Sequence, residues 1–303
     1  MKRDQRKQRM VATILVTGAT GQIGFELVRA MQGLGKVIAI DRADFDLCKP
    51  DQMRTVIRAI RPAVIINSAA YTAVDAAQNN LSYAMQVNAK APGILADEAK
   101  RAEAAIIHYS TDYVFNGEKH SPYIEEDKTD PRNFYGVSKL AGERAITSTG
   151  AHYLILRTSW VYGMRGKNFL LTILHLQKEQ DEIKVVANQF GSPTWSNTVA
   201  TLTAHIVSQS LAAQDTRQWW QERSGLYHLT SGGSTSWHGF AQAIFELIAR
   251  KRTPTVIPIP ASEFFTHTER PENSCLSNDK LERVFSLQPP QWDQALKLCL
   301  QLY

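Results

Sequence analysis

A tyrosine and a lysine stand four residues apart in the stretch FYGVSKLAGE, at Tyr135 and Lys139. Residues at i and i+4 share one face of a helix, so the phenol and the ammonium would point the same way. A nearby ammonium favours the phenolate and lowers the phenol pKa from its usual value of about 10. The pair therefore predicts a proton donor for a reaction such as ketone reduction, although a surface tyrosine packed on a lysine stem has the same spacing.

A hydroxyl close to the reacting oxygen would assist such a donor by polarising the carbonyl. Ser110, Thr111 and Asp112 follow the apolar run AAIIHY, which predicts a buried strand. Sites of open α/β sheets lie at the carboxyl ends of their strands. We therefore expect Thr111 or Ser110 to supply the hydroxyl, the alternative being a polar strand terminus without a role in chemistry.

A glycine-rich turn in VTGATGQIG places Gly18, Gly21 and Gly24 between the first predicted strand and the first predicted helix. Glycines there allow the backbone to approach a pyrophosphate, which the helix N-terminus binds. Asp41 ends the second predicted strand, where a carboxylate accepts hydrogen bonds from a ribose diol and repels a 2′-phosphate. The turn predicts a dinucleotide site, and Asp41 favours NADH over NADPH. The preference is moderate, because the neighbouring Arg42 could accommodate a phosphate.

The elements that must position these groups alternate between strand and helix from the first strand to residue 163. Such alternation predicts an α/β fold with a doubly wound parallel sheet (Rossmann) and a smaller C-terminal substrate lobe. We expect residues 11–163 to form the dinucleotide-binding domain, with 193–230 adding to it. The substrate lobe would comprise 164–192 and 231–303, with the stretch TPTVIPIP as a proline-rich link.

Composition limits the possible classes of protein. The 303 residues carry a net charge of +5, and the basic opening MKRDQRKQRM predicts a disordered tail over residues 1–10. The rest of the chain shows no nucleic-acid motif and no run of apolar residues long enough to span a membrane, so we expect a cytoplasmic protein. The three cysteines lack metal-ligand spacing, and we assign no metal.

In this order, the glycine turn, the terminal acid, the Ser/Thr after the fourth strand and Tyr-x-x-x-Lys resemble the extended short-chain dehydrogenase/reductase family. The resemblance extends through longer strings: TGATGQIGFEL, NSAAYTAVD, HYSTDYVFNG, YGVSKLAGE, LRTSWVYG, NQFGSPT, GLYHLTSGG and RPENSCL. It implies hydride transfer from NADH or NADPH to the C4 ketone of a dTDP-4-keto-6-deoxy sugar. A dTDP-sugar substrate and a homodimer are the partners that we expect.

The resemblance also implies roles for individual residues. Tyr135 would donate the proton, Lys139 would be its electrostatic partner, and Thr111 would polarise the carbonyl. The residues implied to contact the dinucleotide, besides Tyr135 and Lys139, are Gly18, Gly21, Gln22, Ile23, Gly24, Asp41, Asp46, Leu47, Ala69, Ala70, Tyr71 and Tyr109. The residues implied to face the sugar nucleotide are Thr111, Asp112 and Trp160.

One further residue is suggested by its chemistry. The guanidinium of Arg270 has the geometry to bind the diphosphate of a sugar nucleotide, and an arginine that caps a loop is an equally good interpretation.

Two other functions agree with the same motifs. A related nucleotide-sugar reductase or an epimerase shares the turn and Tyr-x-x-x-Lys, but an epimerase keeps NAD bound through its cycle. A non-catalytic dinucleotide-binding subunit would share the fold with eroded catalytic positions. Because Thr111, Tyr135 and Lys139 are all present, the sequence favours a reductase.

Overall fold

The computed structural model describes residues 11–248, 253–264 and 268–301. The predicted tail over residues 1–10 lies outside these ranges. None of the helices within them has the length and apolar character that a membrane crossing requires.

A six-stranded parallel sheet forms the centre of the structure. Its strands are β1 (Thr13–Thr17), β2 (Lys36–Ile40), β3 (Val64–Asn67), β4 (Ala105–Thr111), β5 (His152–Thr158) and β10 (Gly225–His228). They lie in the order β10-β5-β4-β3-β1-β2. The order changes direction at β1, and this is where open α/β sheets bind ligands.

Helices cover both faces of the sheet, and others pack apart from it. In chain order they are α1 (Gln22–Ala30), α2 (Pro50–Ile60), α3 (Val74–Ala77), α4 (Leu81–Met85), α5 (Ala91–Arg101), α6 (Phe134–Thr147), α7 (Phe169–Leu176), α8 (Ser196–Ala212), α9 (Thr216–Arg223), α10 (Trp237–Ile248), α11 (Asp279–Phe285) and α12 (Trp292–Gln301). A π-helix (Gln86–Lys90) joins α4 to α5, and 3₁₀ turns occur at Asp112–Val114 and Ala261–Glu263.

The strands bury side chains on both faces because their residues alternate in direction. On β1, Ile14 and Val16 enter a core shared with α1 and α8, whereas Leu15 enters a second core shared with α2 and α5. These apolar runs therefore fit a central parallel sheet, and the predicted doubly wound α/β fold is confirmed.

A third core lies apart from the sheet. It contains Leu170 and Ile173 of α7, Phe240 of α10 and Leu296 of α12. Against it packs a parallel pair of strands, β7 (Glu182–Val186) and β12 (Thr255–Ile259). The prediction of a proline-rich link over TPTVIPIP is thus wrong, since this stretch contains β12, where proline is tolerated because the strand has only one partner. The assignment of chain segments to two lobes stays a prediction.

Three two-residue strands lie near the carboxyl end of the sheet: β6 (Val161–Tyr162), β8 (Phe190–Gly191) and β9 (Thr194–Trp195). A fourth, β11 (Thr235–Ser236), pairs with β8, and β6 pairs with β9. The chain breaks between β5 and β6 because Trp160 has a left-handed backbone, with φ of 48°. This break turns Trp160 toward the end of the sheet.

Candidate active site

A cleft of about 690 Å³ runs along the carboxyl ends of the strands. It brings together most of the residues predicted from the sequence: Gly18, Gly21, Gln22, Ile23, Asp41, Asp46, Leu47, Ala69, Ala70, Tyr71, Tyr109, Thr111, Asp112, Tyr135, Lys139 and Trp160. Gly24 and Arg270 are the two predicted residues that do not line it.

The glycine turn fits a dinucleotide phosphate. Gly18 has φ of +67°, and a Cβ there would lie 2.8 Å from the backbone of Ala69. Gly21 precedes α1 as its N-cap, no side chain caps the helix, and its first turn holds no acidic residue. The N–H groups at the start of α1 are therefore available to an anion.

Gly24 does not line the cleft, and its role is in packing. A Cβ on it would lie 2.1 Å from the carbonyl oxygen of Gly18 and 2.7 Å from the hydroxyl of Ser68. Its missing side chain lets α1 pack directly on the turn, which is the close approach that the third glycine of such motifs provides.

One end of the cleft holds Asp41 and Arg42, the two side chains that would distinguish NADH from NADPH. Asp41 follows β2, and one of its carboxylate oxygens accepts a hydrogen bond of 2.9 Å from the N–H of Ala43. The exposed Arg42 lies beside it, with its guanidinium 5.8 Å from the ring centre of Tyr83. The carboxylate suits a ribose diol and the guanidinium suits a 2′-phosphate.

Helix α6, which carries Tyr135 and Lys139, begins next to the end of β4. The side chain of Asn133 accepts a hydrogen bond of 2.9 Å from the N–H of Gly136, which caps the helix. A Cβ on Gly136 would lie 2.1 Å from the carbonyl oxygen of Tyr113, so only glycine allows this approach. The close contact places Tyr135 at the cleft, with its ring 5.7 Å from that of Tyr113 in an edge-to-face arrangement.

Tyr135 does not have the acidified phenol that the sequence predicted. Burial of its hydroxyl is the main cause that raises its pKa above the usual range, the carboxylate of Asp112 raises it further, and the hydroxyl of Thr111 partly offsets them. Lys139 is not among the groups that act on this pKa. The expectation of a lowered phenol pKa is therefore wrong for this structure, and the phenol is held in its protonated form.

Lys139 is buried under the cleft floor, with only 1 % of its surface exposed. Its Nζ donates a hydrogen bond of 2.5 Å to the carbonyl oxygen of Tyr109 and lies 3.1 Å from Nε2 of His108. Burial lowers the pKa of Lys139 to about 8, and the carboxylate of Glu143 partly opposes this shift. Its ammonium is thus positioned by β4, and not by a contact with the phenol.

Thr111 is oriented by its neighbour. Its hydroxyl donates a hydrogen bond of 2.9 Å to the carboxylate of Asp112 and accepts one of 3.2 Å from the N–H of Tyr113. To polarise a substrate oxygen, the hydroxyl would have to rotate away from Asp112. Burial raises the pKa of Asp112 to about 6, so its carboxylate is mostly ionised at physiological pH and becomes protonated only in mildly acidic solution.

Two predicted residues have different surroundings from those expected. Tyr109 borders the cleft, but its hydroxyl lies 2.7 Å from the hydroxyl of Thr203 on α8, inside the core. Arg270 forms an ion pair of 3.4 Å with Asp75 at α3 and does not reach the cleft. A role for Arg270 toward a diphosphate stays a prediction.

Trp160 offers less free surface than the sequence predicted. Its indole stacks on that of Trp237, with ring centres 3.4 Å apart and planes within 5°. A Cβ on Gly191 would lie 2.4 Å from Cε2 of Trp160. One broad face of Trp160 is thus covered, and glycine at 191 leaves the space in which the indole lies.

Substituting Gly191 with alanine should displace the indole of Trp160, because a Cβ cannot lie 2.4 Å from an aromatic carbon. We expect a loss of about 1–3 kcal/mol in stability, as for overpacked cores, together with a weaker Trp160–Trp237 signal in near-ultraviolet circular dichroism. Gly225→Ala is the control, since its Cβ would lie at an ordinary 3.5 Å from Tyr227. An unchanged spectrum of Gly191→Ala would contradict the close contact.

Sequence reasoning missed the loop that follows β6. Arg165 donates to the carbonyl oxygen of Thr20 at 3.3 Å, and Asn168 donates to the side chain of Gln22 at 2.8 Å. These contacts hold Lys167 at the edge of the cleft, on the side of the phosphate turn. No local motif marks the loop, because its contacts join residues that are about 145 positions apart.

Comparisons with known proteins show which family the chain resembles. The family model described as the RmlD substrate binding domain matches residues 12–303. The dTDP-4-dehydrorhamnose reductase of Burkholderia thailandensis is 46 % identical over 294 residues, which cover 95 % of this chain and 98 % of that protein. The enzyme of the same name from Escherichia coli K12 is 40 % identical over 295 residues, covering 95 % and 96 %.

A crystal structure of dTDP-4-dehydrorhamnose reductase from Bacillus anthracis in complex with NADP superposes with a TM-score of 0.89. It is 32 % identical and covers 97 % of this chain and all of its own. Sequence and structure agree along nearly the whole length of the protein. The chain therefore belongs to the dTDP-4-dehydrorhamnose reductase family, a branch of the extended short-chain dehydrogenases/reductases.

Proposed function

We propose that the protein reduces the C4 ketone of dTDP-4-dehydrorhamnose to the alcohol of dTDP-L-rhamnose, with NADPH or NADH as the reductant. One observation carries this proposal: Tyr135, Lys139 and Thr111 line the same cleft as the glycine turn. The relatives that bear the name of this reductase share almost the full length of the chain.

The dinucleotide, when bound, supplies the hydride that adds to the ketone carbon. The turn from Gly18 to Ile23 would hold its phosphates, and Asp41 or Arg42 would hold its adenosine ribose. Lys167 adds a positive charge beside the turn and would pair with a phosphate oxygen.

The side chains of the protein supply the proton and the local charge. Tyr135 keeps its phenol proton because burial raises its pKa, and a developing alkoxide is basic enough to take that proton. Lys139 lines the same cleft, so its ammonium would offset the negative charge that develops on the substrate oxygen. The hydride and the proton together convert the carbonyl into a secondary alcohol, which balances the reaction.

The substrate would enter from the side of Trp160 and Asp112. The part of the Trp160 indole that lines the cleft would contact the sugar, and the carboxylate of Asp112 would accept a hydrogen bond from a sugar hydroxyl. The third core, with Phe240 and Ile244 of α10, supports Trp160 from behind through Trp237.

The test is turnover of the purified full chain with dTDP-4-dehydrorhamnose and either NADPH or NADH. We expect one equivalent of cofactor to be oxidised per ketone consumed, with dTDP-L-rhamnose as the product by NMR. Comparison of the two cofactors measures which of Asp41 and Arg42 decides the preference. Tight binding of NAD with no net oxidation would favour an epimerase and overturn the proposal, and cofactor binding without any conversion would favour a non-catalytic subunit.

A further inference from the structure

A line of buried polar side chains crosses three adjacent strands beneath the cleft. Thr17 ends β1, Asn67 ends β3, and His108 lies on β4, at positions that are paired in register. Thr17 and Asn67 approach to 2.6 Å, and Asn67 and His108 to 2.9 Å. The line ends at Lys139, 3.1 Å from His108. Each of the four residues is only 1 % exposed.

We propose that His108 is a positioning residue whose Nε2 accepts a hydrogen bond from the Lys139 ammonium, and that Asn67 sets the tautomer required for this bond. The consequence for catalysis rests on the proposed reduction, whereas the tautomer itself does not. His108 is suited to accept, because burial and the charge of Lys139 hold the pKa of the imidazole well below its usual range and keep it neutral.

Two proton arrangements fit the same four positions, since a half-turn of the Asn67 amide exchanges its oxygen and nitrogen. In the structure the amide nitrogen faces His108 and the amide oxygen accepts from Thr17. With that orientation Nδ1 accepts, the imidazole proton lies on Nε2, and Lys139 can accept this proton only as a neutral amine. If the amide oxygen faces His108, Nδ1 carries the proton and Nε2 accepts from the ammonium. The charged lysine, which can only donate, therefore requires the second arrangement, whereas a neutral amine has both N–H groups and a lone pair and permits either tautomer.

The other groups facing Lys139 favour the charged form only in part. On α6, the Glu143 carboxylate lies one turn further along, but Arg157 of β5 holds it through two bonds of 2.8 and 2.7 Å. The carbonyl oxygen of Tyr109 accepts one ammonium proton. His108 thus supplies the second acceptor for a cation that burial disfavours.

The tautomer is read directly by NMR of the ¹⁵N-histidine-labelled protein, without substrate. We expect His108 to carry its proton on Nδ1 at neutral pH, where Lys139 is charged, and the Nε2 tautomer to gain population only as the pH rises through the pKa of Lys139, about 8. In Lys139→Met this change should disappear. A proton on Nε2 at neutral pH in the wild type, or an unchanged transition in Lys139→Met, would overturn the inference.

Kinetics provides the second readout. Activity that needs the ammonium declines as the pH rises through the Lys139 pKa. His108→Phe removes an acceptor, so the high-pH limb of kcat/KM should move down by about one pH unit or more, and His108→Gln, whose amide oxygen can accept, should move it back. An unmoved limb in a folded His108→Phe enzyme would contradict the positioning role.

His228→Phe is the matched control, because it also removes a fully buried imidazole, at 0 % exposure, that does not contact Lys139. It should lower the melting temperature without moving the limb. If His108→Phe does not fold, the NMR measurement on the wild type and the kinetics of His108→Gln still test the inference. If the wild type itself does not turn over, the proposed function fails, while the NMR result still tests the tautomer.

Discussion

Replacing Tyr135 with phenylalanine should lower kcat for reduction of the sugar ketone by about 10²–10⁴-fold, the range that a positioned general acid contributes. Phenylalanine keeps the ring and its edge-to-face contact with Tyr113. The substitution removes only the hydroxyl whose proton would end on the new alcohol. Cofactor affinity, measured by fluorescence titration, should stay within a few-fold of the wild type because the glycine turn is untouched.

The high phenol pKa of Tyr135 strengthens this expectation. In the direction of reduction the enzyme needs a proton donor, and a phenol whose pKa lies above 10 is fully protonated at neutral pH. A phenol with a strongly lowered pKa would often be ionised before the substrate arrived. The same argument predicts that the reverse oxidation, which needs the phenolate, becomes faster as the pH rises.

Tyr162→Phe is the control for Tyr135→Phe. It removes another buried phenol hydroxyl, at 1 % exposure, from the third core and away from the cleft. We expect kcat of this variant to stay within about threefold of the wild type, because a substitution that does not contact the site acts independently of it. Turnover of Tyr135→Phe at a similar level would reject Tyr135 as the donor.

The parts of the site that depend on local spacing could be predicted from the sequence. Tyr135 and Lys139 share a helix, and the glycines of the turn stand between a strand and a helix, so both groups follow from neighbours in the chain. The order of strands and helices also fixed the class of fold, because alternation with long crossovers allows few topologies.

The parts that depend on distant contacts could not be predicted. The direction of the Tyr135 pKa shift is set by burial, which arises only when α6 packs against the end of β4. Arg270 pairs with Asp75, 195 positions away, and Trp160 stacks on Trp237, 77 positions away. For His108 a signal was present, since a histidine inside the apolar run AAIIHY predicts a buried polar group that must find a partner.

Replacing Lys139 with methionine should lower kcat by about 100-fold or more while the protein stays at least as stable as the wild type at neutral pH. The catalytic loss follows because the cleft would lose the cation that offsets negative charge on the developing alkoxide. Methionine fills a similar volume, and replacing a buried charge with an apolar side chain is often neutral or stabilising. The opposing requirements of activity and stability therefore meet at this one side chain.

The pH dependence of stability shows whether the charge of Lys139 stabilises or destabilises the folded state. Burial lowers the pKa of Lys139 from 10.5 to about 8, so the folded state binds this proton less tightly than the unfolded state. The resulting destabilisation is complete below pH 8 and is relieved as the pH rises from 8 toward 10.5. The melting temperature of Lys139→Met should exceed or equal that of the wild type at neutral pH, and the difference should shrink over that range. Lys90→Met, at an exposed position, is the control and should match the wild type in both activity and melting temperature. A large loss of stability in Lys139→Met at neutral pH would show that Lys139 stabilises the fold, and would contradict the prediction.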